Sequence, residues 1–331
     1  MTPIPMRISA VGRYVPARIV TAAELDRLMD LPDGWVLRKT GVSERHWADG
    51  ETPIEMAVAA SEEAFERSGW SPEDIDLIIY AATTLEQLIP DTAPLLQRAL
   101  GLGSSGIKSF TVHSTCLSFM TALDIAASHI AAGRHDRVMI VGAEIPSMAL
   151  NFSEPESAAL LGDMATAVLL TGSDAGSSRL RALEFQTHGD GADLCRIEGG
   201  GPYKTFGRSQ PLNPEDHVFQ MDGRAVFKYA SQVFPPVFDS ALQLAGITND
   251  DHDLFIPHQA SLRGIRLIHR ACGVPDEKVI INLHRFGNCV ACSLPGAIYD
   301  AVEEGKISEG DTVLLAGTGA GLSAAAAVLT W

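Results

Sequence analysis

Two hydrophobic periods alternate along this chain. From Pro53 to Ser68 the apolar positions 54, 57, 58, 60, 64 and 65 recur every three or four residues, which predicts an amphipathic helix ending at Gly69. Residues 76–82 (DLIIYAA) and 137–142 (RVMIVG) are instead near-continuous apolar runs, the pattern of strands buried on both faces of a parallel sheet. Between them lie a predicted helix over 93–100, a β-rich run over 109–113, and a polar turn at Ser114 and Thr115. A further helix opens after Cys116, with apolar residues at 117, 120, 123 and 125. Earlier in the chain, residues 6–15 read as a first strand. Thr21 reads as the N-cap of a helix running to Met29, with Glu24 completing a capping box and Pro32 ending the element. Residues 35–47 (WVLRKTGVSERHW) mix aromatics with Arg38, Lys39 and Arg45 and read as a solvated surface turn. Alternating strands and helices make this an α/β protein.

The order of elements repeats. Residues 69–80 (GWSPEDIDLIIY) are echoed by 246–257 (GITNDDHDLFIP), and 311–317 (DTVLLAG) mirror 137–142. Residues 279–288 (VIINLHRFGN) resemble 107–116, which sets Asn288 at the turn that holds Cys116 in the first half. We therefore expect two similar halves, 1–172 and 173–331, whose strand-to-helix turns converge on one central site. Residues 186–222 are rich in Gly, Pro, Asp and His and read as a long surface excursion over a pocket.

Composition narrows the class. With 331 residues, 46% of them hydrophobic, the chain can bury a substantial core. No run of 18 apolar residues and no leader-like apolar segment occurs, so a soluble, cytoplasmic protein is expected. Five cysteines, at 116, 195, 272, 289 and 292, are odd in number and too sparse for a disulfide scaffold. A net charge of −16 argues against nucleic acid or an anionic membrane as the main partner. Any anionic partner must dock on a local patch.

A thiol at Cys116, between strand and helix, sits near the positive end of the helix dipole, which favours thiolate and hence a nucleophile; a buried, inert cysteine is the alternative. His258 (in IPHQAS) follows a predicted strand at 253–256, and Asn288 (in FGNCVACS) lies in a Gly-Asn turn. Singly, each fits a structural role. Together the three fall at strand exits on one expected face, supplying a nucleophile, a base or donor, and a second donor. The loop 317–321 (GTGAG) lacks nucleotide-binding spacing and suits backbone amides aimed at an oxyanion. Cys289 and Cys292, beside His284, lack further ligands at metal spacing and read as core residues; no metal site is expected. Asp163 (in LLGDMATAVLL) reads as a turn residue.

Assembled, these residues make the chain resemble the β-ketoacyl-acyl-carrier-protein synthase III family of thiolase-fold condensing enzymes. The likeness runs through WVLRKTGVSERH, TCLSF, GDMATAVLL, FKYA at 227–230, PHQASLR, FGNCVACS and the terminal glycine-rich loop. It implies a five-layered αβαβα fold from duplicated halves and a homodimer. It implies that Cys116 carries an acyl group as a thioester, and that His258 and Asn288 stabilise the thioenolate formed when a malonyl thioester loses CO2. The amides of Cys116 and Ala320 would form the oxyanion hole. Trp35 and Arg263 would line the pantetheine tunnel, and Ile89 would reach across the dimer to floor the partner's acyl pocket. No cofactor is implied beyond substrates carried as phosphopantetheine or coenzyme A thioesters. An acidic acyl carrier protein would need a basic patch, for which Arg224, Lys228, Arg263, Arg266 and Arg270 are candidates.

Several positions depart from the family pattern. The usual Gly-Asp-Gly-Ala-Gly reads Gly162, Asp163, Met164, Ala165, Thr166, and the middle glycine of the terminal triplet is Ala320. Residues 151–157 contain no arginine where the family clamps the coenzyme A adenine, so a carrier-bound donor is more attractive. The CLSF motif is similar to branches that join two long acyl chains, which place a glutamate where this chain has Ile89. These differences suggest a secondary-metabolite role. Two alternatives differ in chemistry: acyl transfer from Cys116 to a hydroxyl or amine, which does not need Asn288, and a non-catalytic ketosynthase-like partner.

Overall fold

The computed structural model describes residues 2–174, 178–201 and 213–331. The middle of the 186–222 excursion, Pro202 included, lies outside the described residues. Leu77–Ala81 is a strand buried at every position, with parallel neighbours Lys108–Val112 on one side and Arg137–Glu144 on the other. Arg137–Glu144 then pairs antiparallel with Met164–Gly172, and that strand with Ile4–Tyr14. The second half repeats this order. Leu254–Pro257 lies parallel to Thr312–Gly319 and meets the edge segment through a bridge from Phe255 to Val279. Thr312–Gly319 pairs antiparallel with Ser323–Thr330, and that strand with Arg179–Thr187. The first strands of the two halves join edge to edge through Ile4 with Leu180 and Pro5 with Arg179, so nine strands form one continuous sheet.

Side-chain alternation along these strands creates five layers. Leu77, Ile79, Val138 and Ile140 face inward with Leu254, Ile256, Val313 and Leu315. Between these two inner faces lie the helices Ser118–Ala131 and Ser293–Glu303, contributing Met120, Leu123, Ala297 and Ile298. On the outer face of the first sheet, Ile78, Tyr80 and Met139 meet Met56, Ala60 and Phe65 of the helix Pro53–Ser68. On the outer face of the second, Phe255 and Leu314 meet Phe234 and Phe238 of the helix Gly223–Ala245. The result is the αβαβα sandwich of a thiolase-like fold. Helix Pro53–Ser68 ends at Gly69, whose φ of 71° only glycine adopts without strain. It begins in a full capping box between Thr52 and Glu55.

Two local expectations fail. Residues 35–47 are not a solvated turn: they form the helix Trp35–Thr40 and the strand Glu44–Trp47, with Val36, Arg45 and Trp47 buried. The cause is tertiary. Gly34 and Val36 donate N–H bonds to the buried Asp26 carboxylate at 2.6 and 2.8 Å, and Arg45 runs inward to donate to the Ala159 carbonyl at 2.7 Å. At Thr21 only half of a capping box forms: the hydroxyl accepts from Glu24 N–H at 3.2 Å, while the Glu24 carboxylate turns to Arg18 at 3.6 Å.

Candidate active site

The site is built from two copies of one turn. Thr115–Leu117 opens the helix Ser118–Ala131, and Val290–Cys292 opens Ser293–Glu303. The first residue of each turn takes a left-handed backbone, Thr115 at φ 51° and Val290 at φ 48°. The serine that starts each helix accepts an N–H from four residues back: Ser114 to Ser118 Oγ at 2.9 Å, Cys289 to Ser293 Oγ at 2.8 Å. This superposition sets Cys116 opposite Ala291 and Asn288 opposite His113. The repeat read from sequence had matched Asn288 with Cys116. It slipped because the second half inserts a helical turn, Leu283–Phe286, where the first half runs straight from strand to turn.

The two turns pack against each other, and the Cys116 turn also packs on the strand Thr312–Gly319. Gly317 makes that approach possible. A β-carbon there would stand 2.7 Å from His258 Cβ and 3.1 Å from Leu117 Cδ2, so His258 and the residue after Cys116 crowd one backbone position. Thr115 Oγ1 donates to the Ala320 carbonyl at 3.2 Å, tying the terminal glycine-rich loop to the same turn.

Each candidate group has a distinct environment. His258 directly follows the strand Leu254–Pro257, is 3% exposed, and donates its backbone N–H to the Ala316 carbonyl at 2.7 Å. Its ring nitrogens make no hydrogen bond among the described residues. Burial lowers its pKa to about 4, so the imidazole is neutral at neutral pH. Asn288 has its backbone fixed by the Leu160 carbonyl at 2.8 Å and the Gly162 N–H at 3.1 Å. Its Oδ1 accepts from Val290 N–H at 2.9 Å and Ser293 Oγ at 3.4 Å, which fixes the carboxamide and leaves Nδ2 as the free donor among the described residues.

Cys116 departs from expectation. Burial, then the Glu144 carboxylate and the Cys195 thiol, push its pKa up to about 12, while the N–H groups of Cys116 and Ala320 pull the other way. The helix start does not overcome desolvation, so the resting side chain is a thiol.

Sequence reasoning missed Glu144. It ends the strand Arg137–Glu144, is fully buried, and accepts from Thr83 N–H at 2.7 Å, Thr84 N–H at 3.0 Å, Thr84 Oγ1 at 2.9 Å and Ala291 N–H at 3.4 Å. A lone acid closing an otherwise apolar strand was the available signal. Asp163 is more than a turn residue. Its carboxylate accepts from Ala48 N–H at 2.8 Å, Ser147 N–H at 3.0 Å and Ser147 Oγ at 2.5 Å, and burial raises it to about 6.

The remaining candidates are dispersed around this centre. Cys289 and Cys292 are buried, with their thiols on the carbonyls of Phe286 and Gly142. Among the described residues no group of three His, Cys, Asp or Glu could hold a metal ion. Trp35 is half-buried, with Lys39 Nζ 5.7 Å from its ring and that ammonium 3.4 Å from Glu156. Arg263, Arg266 and Arg270 line a shallow groove with Phe227 and Leu267, and Arg224 and Lys228 are exposed on the helix that carries Phe227. Ile89 is 87% exposed. The described part of the excursion pairs Cys195–Arg196 with Gln220–Met221 and ties His188 to Leu322, beside the terminal loop. No helix among the described residues is long and apolar enough to cross a membrane.

A duplicated αβαβα sandwich with a cysteine, a histidine and a carboxamide drawn from its two halves defines a thiolase-like protein. Two family models match, 3-Oxoacyl-[acyl-carrier-protein (ACP)] synthase III over residues 110–191 and its C-terminal counterpart over 242–331. The β-ketoacyl-[acyl-carrier-protein] synthase III of Aquifex aeolicus is 34% identical over 325 residues, 98% of this chain and 99% of that one. A crystal structure from Aquifex aeolicus, of a 3-oxoacyl-[acyl-carrier-protein] synthase III, superposes with a TM-score of 0.90 at 33% identity, over 98% of this chain and all of that one. The priming β-ketosynthase of the R1128 polyketide pathway superposes at 0.89 with 29% identity, covering 99% and 97%. The chain belongs to the synthase III family and is an acyl-transferring enzyme.

Proposed function

We propose that this enzyme loads an acyl group on Cys116 and then carries out decarboxylative Claisen condensation with a malonyl thioester on an acyl carrier protein. The observation that carries the reading is the juxtaposition at Gly317: His258 and the Cys116 turn meet on one strand, and the turn holding Asn288 packs on the same Cys116 turn. Neutral His258 accepts the Cys116 proton as sulfur attacks the acyl thioester carbonyl. The new carbon–sulfur bond forms, the old one breaks, and the departing thiol takes the proton. The N–H groups of Cys116 and Ala320 hold the oxyanion. A malonyl thioester then enters and loses CO2. Its enolate oxygen receives hydrogen bonds from the His258 N–H and from Asn288 Nδ2. The enolate carbon attacks the acyl carbon, and the sulfur of Cys116 leaves as thiolate and takes up a proton from solvent, which restores the resting thiol. Two neutral donors suit this step, since a charged acid would protonate the carbanion before it reacts.

In the same reading the halves divide at 172 and 173, Trp35 and Arg263 line the entrance for the pantetheine arm, and Arg224, Lys228 and Arg270 dock the carrier protein. The groove of Arg263, Arg266 and Arg270 supports this, since it sets three cations beside apolar surface on a chain of net charge −16. Exposure of Ile89, with Leu88 at 70%, supports a homodimer in which Ile89 reaches the partner's pocket. The substrates are thioesters, with no further cofactor, and the enzyme acts in the cytoplasm. Absence of an arginine in 151–157 favours a carrier-bound donor over coenzyme A. The likeness to a priming polyketide ketosynthase supports a place in secondary metabolism. Incubation with an acyl thioester and malonyl-carrier protein, followed by mass spectrometry, is expected to yield a β-keto product. Transfer of the acyl group to a hydroxyl or amine, or CO2 release with no such product, contradicts the proposal.

A further inference from the structure

Among the described residues Glu144 is the buried carboxylate whose charge acts on the Cys116 thiol, and the mechanism above does not use it. Its four donors come from two segments, one in each half. Thr83 and Thr84 leave the strand Leu77–Ala81, and Ala291 sits in the second-half turn that holds Asn288. Every donor is a neutral N–H or O–H, and among the described residues no Lys or Arg pairs with this carboxylate. Such a group is held ionised only by its hydrogen bonds. The ionisable groups that face it are the phenol of Tyr80 and the thiols of Cys116, Cys289 and Cys292. All are neutral near pH 7. Cys195 and His258, the other titratable groups at the nucleophile, are neutral there too. The charge at the centre of the hollow therefore depends on one residue.

We infer that Glu144 is a positioning residue whose charge sets the two half-reactions against each other: ionised, it clamps the Asn288 turn for condensation, and neutral, it releases Cys116 for acylation. The clamp runs from Glu144 Oε1 to Ala291 N–H and on through the turn whose Val290 N–H fixes Asn288 Oδ1. Protonation turns one of the carboxylate's acceptor sites into a donor, and the contact to Ala291, at 3.4 Å the longest of the four, is the first to go. The same protonation removes a negative charge beside the sulfur and so favours thiolate. The clamp on the Asn288 turn rests on the proposed condensation, whereas the release of Cys116 concerns only the thiol.

The test is alkylation of Cys116 by iodoacetamide, followed by intact mass and peptide mapping, across pH 5.5–8.5. In the wild type the rate is expected to rise tenfold per pH unit below and above a flattened interval centred near pH 7, where Glu144 ionises. A single straight line of unit slope overturns the inference. E144Q, neutral throughout, is expected to lose the flattened interval and to alkylate about tenfold or more faster at pH 8. In separate half-reactions it should acylate at least as fast as wild type and discharge to malonyl-carrier protein at least tenfold slower. Equal slowing of alkylation, acylation and discharge is what a packing role gives and contradicts the inference. If condensation itself proves wrong, the alkylation profile still reads the charge coupling, so the two failures are distinct.

Discussion

At the residue scale, the proposed site draws on three groups of different chemistry, and His258 and Asn288 are each held by backbone hydrogen bonds rather than by the other members of the trio. Cys116→Ala is expected to abolish acyl loading with the fold intact, read by intact mass and by an unchanged unfolding midpoint. His258 has a sharper signature. Its pKa in the folded chain lies below the ordinary value, so between pH about 6.5 and about 4 the unfolded chain binds a proton that the folded chain refuses. Stability therefore falls as pH drops through that window, by about 2–3 kcal/mol from this residue alone. His258→Asn removes the dependence, and urea unfolding at pH 7 and pH 5 is expected to give a shallower pH slope for the variant than for wild type. Equal slopes would contradict the neutral, buried imidazole. As candidates, Cys116, His258 and Asn288 were legible in the sequence, since each lies in a recognisable motif, although Asn288 follows the helical turn Leu283–Phe286 rather than a strand. The state of the thiol was not. Desolvation and a carboxylate 28 positions away in the chain decide it, and only the folded chain brings them together.

At the scale of elements, the duplicated turn is the unit on which the proposed chemistry rests. Gly317 lets the strand Thr312–Gly319 run between His258 and Leu117, and its counterpart Gly142 lets Arg137–Glu144 pass the Ala81 carbonyl. Gly317→Ala is expected to press on His258, lowering stability by about 1–3 kcal/mol and slowing discharge of the acyl group more than its loading. Stopped-flow measurement of the two half-reactions separates these. Thr52→Ala, which removes one arm of the capping box far from the site, should cost about 1 kcal/mol by urea unfolding with both half-reactions unchanged. The buried strands and long amphipathic helices were readable from period alone, because burial on one or both faces fixes the spacing of apolar residues. Residues 35–47 were not, because Arg45 is charged and yet fully buried, donating to carbonyls of distant segments. The three-residue slip between Asn288 and Cys116 has a similar origin: a helical turn replaces part of an edge strand, and apolar pattern does not count insertions.

For the whole molecule, the proposed site draws residues from both parts of the chain, so contacts between them bear on the proposed function. Arg13, from the first strand, donates to Asp300 of the helix Ser293–Glu303 at 2.7 Å, with the two side chains 13% and 7% exposed. Its guanidinium lies over the rings of Phe286 at 4.7 Å and Tyr299 at 4.1 Å, and Asp300 also holds Asn282 Nδ2 at 2.7 Å. Arg13→Leu strands the Asp300 charge and is expected to lower stability by about 3 kcal/mol; adding Asp300→Asn should recover part of the loss. An additive double variant would contradict the coupling. The most direct measurement for the account as a whole follows the acyl group itself. Wild type and Asn288→Ala are charged with an acyl thioester, malonyl-carrier protein is added, and intact mass is recorded over time. Both proteins are expected to gain one acyl group on Cys116, which wild type loses as β-keto product appears while Asn288→Ala retains it. Discharge of Asn288→Ala at the wild-type rate, or acylation at any residue other than Cys116, would contradict a shared site of sulfur, imidazole and carboxamide.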